Sequence, residues 1–106
     1  MVDSLRVGIA GLGTVGAGTV QVLETHKDEI ARRAGRGIEV VAVSARDRSK
    51  DRGVDLSGVK WVDDTLDLAS DPDVDVVVEL IGGAEGVARS LCEKALKNGK
   101  HVVTAN

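Results

Sequence analysis

The stretch Leu5-Arg6-Val7-Gly8-Ile9-Ala10-Gly11-Leu12-Gly13-Thr14-Val15-Gly16 runs from a short apolar segment into three glycines spaced by one and then two residues. Leu5 to Ala10 has the length and apolar character of a buried strand. A helix is predicted to follow the glycines and to run to about Ala34. Its Val15, Val20, Leu23, Ile30 and Ala34 recur at helical spacing, broken by a polar-leaning stretch, while Glu24, Lys27, Asp28, Arg32 and Arg33 cover the outer face. Gly35-Arg36-Gly37 stops this helix, since glycine tolerates a left-handed cap. Ile38 to Val43 is a second apolar strand. Strand, glycine turn, helix and strand make one βαβ unit.

Further along, residues 44–58 are polar and glycine-punctuated and read as a loop with room for a helical turn. Val59 to Val62 is a weak third strand. Thr65 to Ala69 fits one or two helical turns, capped by Asp64 or Thr65, and Asp71-Pro72-Asp73 marks a turn. Val74 to Ile81 carries the strongest strand pattern, ended by Gly82-Gly83. From Ala84 to Lys97 a helix is predicted, with Val87, Ala88, Leu91, Cys92, Ala95 and Leu96 on its apolar face. Asn98-Gly99 closes it, and His101 to Thr104 begins a fifth strand. This alternation predicts an α/β doubly wound parallel sheet, the Rossmann dinucleotide-binding fold, over residues 1–106 as one domain. Such domains commonly have six strands, and the sequence supplies about five. Because it stops at Asn106, at the end of a strand, it reads as a piece of a longer protein.

Composition agrees with one buried parallel sheet. The chain has 106 residues, 42% hydrophobic and 1% aromatic, so its core is built from small branched aliphatics. Its 14 Lys+Arg against 17 Asp+Glu leave a net charge of −3 and no basic excess to hold nucleic acid. No apolar run approaches the roughly 20 residues of a membrane span, and the N-terminus lacks a signal-peptide layout. One cysteine excludes an internal disulfide or a cysteine-rich zinc site and suits a reducing compartment. These features predict a cytoplasmic protein.

The chemistry lies in the glycine turn. Gly11 permits the tight turn, Gly13 lets the backbone approach a pyrophosphate, and Gly16 lets helix and strand pack closely. The free amides and dipole of the helix N-terminus attract the phosphates. The alternative is a tight turn without a ligand. At the tip of the second strand, Val43-Ser44-Ala45-Arg46 lacks the acid that holds the ribose hydroxyls of NAD. Arg46 can pair with a 2′-phosphate, with Ser44 adding a hydroxyl, which favours NADP and leaves NAD as the alternative. His26 reads as a surface residue, His101 as a surface or packing residue, Trp61 as a cap on the core edge, and no spacing among the histidines and Cys92 resembles a metal site. Cys92 reads as packing. Glu79, the one acid in the strongest strand, must be paired, face the end of the sheet, or titrate.

With the glycine turn, Val77-Val78-Glu79-Leu80-Ile81-Gly82-Gly83 and the ending Gly99-Lys100-His101-Val102-Val103-Thr104-Ala105-Asn106 in view, the whole chain resembles the homoserine dehydrogenases. Sugar and inositol oxidoreductases share the Gly-Lys-His-Val part but typically continue differently. The resemblance implies reversible hydride transfer between NAD(P)H and L-aspartate 4-semialdehyde, giving L-homoserine on the way to threonine, methionine and isoleucine. It implies that Thr14 and Val15 touch the pyrophosphate, and that Gly82, Gly83, Thr104, Ala105 and Asn106 lie along the nicotinamide riboside. The family's catalytic lysines and acids, its substrate pocket and its dimerisation sheet fall beyond Asn106. No proton-transfer residue is therefore assigned within the chain, which alone is expected to be inactive, and the longer enzyme is expected to be a homodimer. A non-catalytic nucleotide-sensing module is the competing reading.

Overall fold

The computed structural model describes residues 4–45, 53, 56–81 and 85–105. Five parallel strands form one sheet in the order β3-β2-β1-β4-β5: β1 Leu5–Ala10, β2 Ile38–Ser44, β3 Lys60–Trp61, β4 Val76–Glu79 and β5 His101–Thr104. The first strand is central, and the order reverses on either side of it, as in a doubly wound sheet. Helices α1 (Thr14–Thr25), α2 (Lys27–Ala34) and α3 (Glu85–Lys97) and a short 3₁₀ helix (Thr65–Ala69) complete the architecture.

Strand periodicity divides the core into two layers. Val7, Ile9, Val43 and Val76 face one way and pack with Leu12 of the glycine turn and Val20 of α1. Ala10, Ala42 and Val77 face the other way and pack with Leu68 and Ala69 of the 3₁₀ helix and Leu91 and Ala95 of α3. Small side chains on this second face let the helix and the 3₁₀ turn lie close to the sheet. At Gly8 a Cβ would stand 3.1 Å from both methyls of Val74.

Where the structure departs from the sequence pattern, the cause is local. The first helix is two helices, broken at His26, whose φ of −111° and ψ of 21° are not helical. The break falls within the polar-leaning gap, where no apolar residue anchors the helix to the sheet. No residue of α2 is buried; acids in its first turn, Arg32 and Arg33 in its last, and a Glu29–Arg33 ion pair of 3.1 Å support it instead. The fourth strand is shorter than the apolar run. Val74 is drawn into the preceding turn, its amide bonded to Asp71 O, and pairing starts at Val76. The apolar face of α3 is narrower than predicted: Ala88, Leu91 and Ala95 are buried, but Val87 and Leu96 are exposed. Val15 is also exposed, and the second strand extends one residue further, to Ser44.

The amino-terminal ends of the strands are tied together by charge. Arg6 holds Asp75 through its backbone amide at 2.9 Å and its guanidinium at 3.2 Å. Lys60 meets Asp71 Oδ2 at 2.7 Å, and Lys100 Nζ donates to the carbonyls of Asp71 and Val74 at 2.7 and 2.6 Å.

Candidate dinucleotide site

The parallel register brings the carboxyl ends of the strands to one edge, with Ser44, Ala10, Glu79 and Thr104 as neighbours in a single row across β2, β1, β4 and β5. The glycine turn leaves the sheet from the middle of this row. Gly11 has φ +97°, and a Cβ there would also come within 2.7 Å of Leu80 O. At Gly16 a Cβ would fall 1.9 Å from Gly11 O, so the first turn of α1 lies directly against the strand it follows. Gly13 is the opposite case: nothing among the described residues lies within 4 Å of a Cβ built on it.

That open side faces the start of α1. By helix geometry the first-turn amides have no partner within the helix. No side chain among the described residues caps them, and no acid in the first turn offsets the helix dipole. Thr14 and Val15 are exposed here, and Thr19 turns its hydroxyl back onto Val15 O. A backbone with open space over Gly13, uncompensated amides and a positive dipole end fits a pyrophosphate.

The rest of the row is polar and buried. Ser44 is 2% exposed, and its Oγ lies 2.5 Å from Thr65 Oγ1, tying the β2 tip to the 3₁₀ helix. Glu79 is 1% exposed; its Oε2 accepts the Ile81 amide at 2.7 Å and its Oε1 accepts the Thr104 hydroxyl at 2.5 Å. Ala105 N donates to Glu79 O at 3.1 Å, so the end of β5 is held to the end of β4 twice. On α3, burial and the nearby Glu79 charge push the Cys92 thiol above its ordinary value, keeping it protonated. His26 and His101 are exposed, and Trp61 is half-buried on the edge strand.

Of the residues singled out by sequence, the structure brings Gly11, Gly13, Thr14, Val15, Gly16, Ser44, Thr104 and Ala105 to this one edge. Arg46, Gly82, Gly83 and Asn106 lie outside the described residues. Thr65 and the Ile81 amide were not foreseen, because each enters through a contact between strands and turns that spacing along the chain does not encode. Among the described residues no group of three His, Cys, Asp or Glu side chains could hold a metal ion, and no helix is long and apolar enough to cross a membrane.

A glycine turn of this geometry, opening a helix from the central strand of a 3-2-1-4-5 parallel sheet, defines a dinucleotide-binding domain. Comparison with known proteins narrows the class. The family model for the NAD binding domain of homoserine dehydrogenase matches residues 11–106, and the chain belongs to that family. It is 54% identical over 102 residues to the homoserine dehydrogenase of Pseudomonas aeruginosa, covering 96% of this chain and 23% of that protein. Among solved structures, the homoserine dehydrogenase from Thiobacillus denitrificans superposes with a TM-score of 0.86 at 48% identity, over 100% of this chain and 24% of that one. The Staphylococcus aureus enzyme gives 0.87 at 34% identity, over 100% and 27%. The chain thus spans about a quarter of the length of the relatives it matches.

Proposed function

We propose that residues 1–106 are the cofactor-binding unit of an enzyme that interconverts L-aspartate 4-semialdehyde and L-homoserine. The observation that carries this reading is the family match over residues 11–106, laid on a glycine turn that is closed at Gly16 and open at Gly13. The dinucleotide supplies the hydride chemistry. This chain's own part is to bind and orient it: the amides of Thr14 and Val15 hold the pyrophosphate, and Thr104 and Ala105, with Gly82, Gly83 and Asn106, line the nicotinamide riboside. The proton-transfer groups, the semialdehyde pocket and the contacts between two copies belong to the three quarters of the relatives' length that this chain does not span. The enzyme works in the cytoplasm.

The preferred cofactor is NADPH. Ser44 Oγ shares a hydrogen bond with Thr65 Oγ1 and keeps further hydrogen-bonding capacity for the ribose phosphate, and Arg46, at a strand tip whose sequence carries no acid, supplies the charge that selects the 2′-phosphate. Calorimetric titration with NADPH and NADH tests this directly. Tighter NADPH binding that Arg46→Ala weakens about tenfold is the expected result; tighter NADH binding removes the role of Arg46. The catalytic reading is tested by exchanging these residues for the matching quarter of the Pseudomonas aeruginosa enzyme. The chimera should reduce aspartate semialdehyde, and a folded, dinucleotide-binding chimera without that activity would argue against it.

A further inference from the structure

Glu79 is a buried carboxylate that the sheet does not need. Ladder pairing already joins β4 to β1 and β5, and Leu80 N continues it by donating to Ala10 O at 2.8 Å. Burying an acid costs free energy that an apolar side chain of similar volume would not. Glu79 nevertheless sits 1% exposed beside Cys92, at the carboxyl edge of the sheet. What the carboxylate adds is a link between two exits. Ile81 N, two residues past the end of β4, donates to one oxygen, and Thr104 Oγ, at the last residue of β5, donates to the other. The same exit passes against the glycine turn, where Leu80 O leaves no room for a Cβ on Gly11. One side chain thus ties the departures of β4 and β5 to each other, next to the turn that begins α1.

We propose that Glu79 is a positioning residue for the nicotinamide-riboside end of the bound dinucleotide. It acts by fixing the Ile81 amide and the Thr104 hydroxyl, and does not itself touch the ligand. The proposal rests on the dinucleotide reading above. It separates the two ends of the cofactor: the adenosine and pyrophosphate end is served by the glycine turn and α1, while the nicotinamide-riboside end depends on the Glu79 link.

The test compares NADH with ADP, which keeps the adenosine and both phosphates but lacks the nicotinamide riboside. In calorimetry on the 106-residue chain, Glu79→Leu should weaken NADH binding about tenfold, the scale of one lost charge-assisted hydrogen bond, while ADP binding changes less than about twofold. Glu79→Gln, whose amide oxygen still accepts from Ile81 and whose NH2 can donate to Thr104 Oγ, should restore most of the loss. Thr104→Val, at an exposed residue, cuts one arm of the link and should weaken NADH selectively even if Glu79→Leu does not fold. Amide exchange at Ile81 should quicken in Glu79→Leu and not in Glu79→Gln. If the variants lower NADH and ADP affinity in parallel, or leave both unchanged while the wild type binds NADH, the positioning role is wrong and the dinucleotide reading survives. A wild-type chain that binds neither of these ligands nor NADPH overturns both.

Discussion

Replacing Gly16 and Gly13 in turn by alanine separates what the glycine turn does for folding from what it does for the ligand. At Gly16 the new Cβ would lie 1.9 Å from Gly11 O, about an ångström inside the 3.0 Å that real Cβ contacts respect, and 2.9 Å from Gly11 C, just inside it. Neither atom can swing aside, because both belong to a backbone that leaves the central strand at φ +97°. Relief requires shifting the start of α1 off the sheet, which loosens Val20 and Leu12 in the core beneath it. Overpacking of this kind costs about 3 kcal/mol. With a urea dependence of about 1.5 kcal/mol per molar, the unfolding midpoint falls by about 2 M. At Gly13 no described atom lies within 4 Å of the added methyl, and φ −72° suits alanine. The lost freedom of the unfolded chain and the poorer cap offset each other to within about 0.5 kcal/mol. The same methyl would stand where a pyrophosphate approaches the amides, so NADH affinity should fall at least about tenfold. Urea unfolding followed by circular dichroism, with calorimetry for binding, reads both effects. Equal midpoints for the two variants would refute the packing argument, and unchanged affinity in Gly13→Ala would refute the placement of the phosphates.

Other tests address the opposite end of the sheet. Burial works to raise the carboxyl of Asp71, but the Lys60 ammonium, the Asp73 amide and the Lys100 charge outweigh it and hold the group below its ordinary 3.8; hydrogen bonds from the Arg6 side chain and amide do the same for Asp75. Between those lowered values and 3.8 the folded chain binds fewer protons than the unfolded one, so this stabilisation is complete above about pH 5 and is lost as the pH falls through the lowered values. Urea midpoints measured across that range should decline with acid and flatten in Asp75→Asn, and a variant with the wild-type slope would exclude Asp75 as a contributor. Lys100→Met keeps the aliphatic stem but removes the donor from Val74 O, while Asp71 O retains the Val74 amide. It should cost about 2 kcal/mol by thermal or urea unfolding, the scale of one charged hydrogen bond, and a loss under about 0.5 kcal/mol would mean that water replaces the ammonium freely.

How far the sequence could be read depended on whether the information was local. Leu5 to Ala10 and His101 to Thr104 are strands over those residues, and Asp64 caps the 3₁₀ helix by accepting from Leu66 N at 3.0 Å. Each depends on a few consecutive residues. The break at His26 was written in the polar gap but read through, since periodicity on both sides agreed with one helix. The start of β4 was hidden because Val74 and, after Asp75, the consecutive Val76, Val77 and Val78 carry no sign of where a turn lets go and a ladder begins. At the site, the glycine spacing foretold a close approach at Gly16 and an open one at Gly13. The need of Glu79 for a partner was equally plain, but its identity was not. Thr104 and the Ile81 amide reach it only through the register of β4 against β5, and Ser44 reaches Thr65 across 21 residues of chain.

The charge clamps at the amino-terminal ends of the strands have a counterpart in what the other end lacks. There, among the described residues, the first turn of α1 has no side-chain cap, no acid and open space over Gly13. In the language of local unfolding, the domain has a fastened hem and an unfinished one. A ligand seated on the bare amides completes the second, adding RT ln(1 + [L]/Kd) to stability where the chain's own side chains contribute least. Occupancy thereby becomes a structural element of the fold.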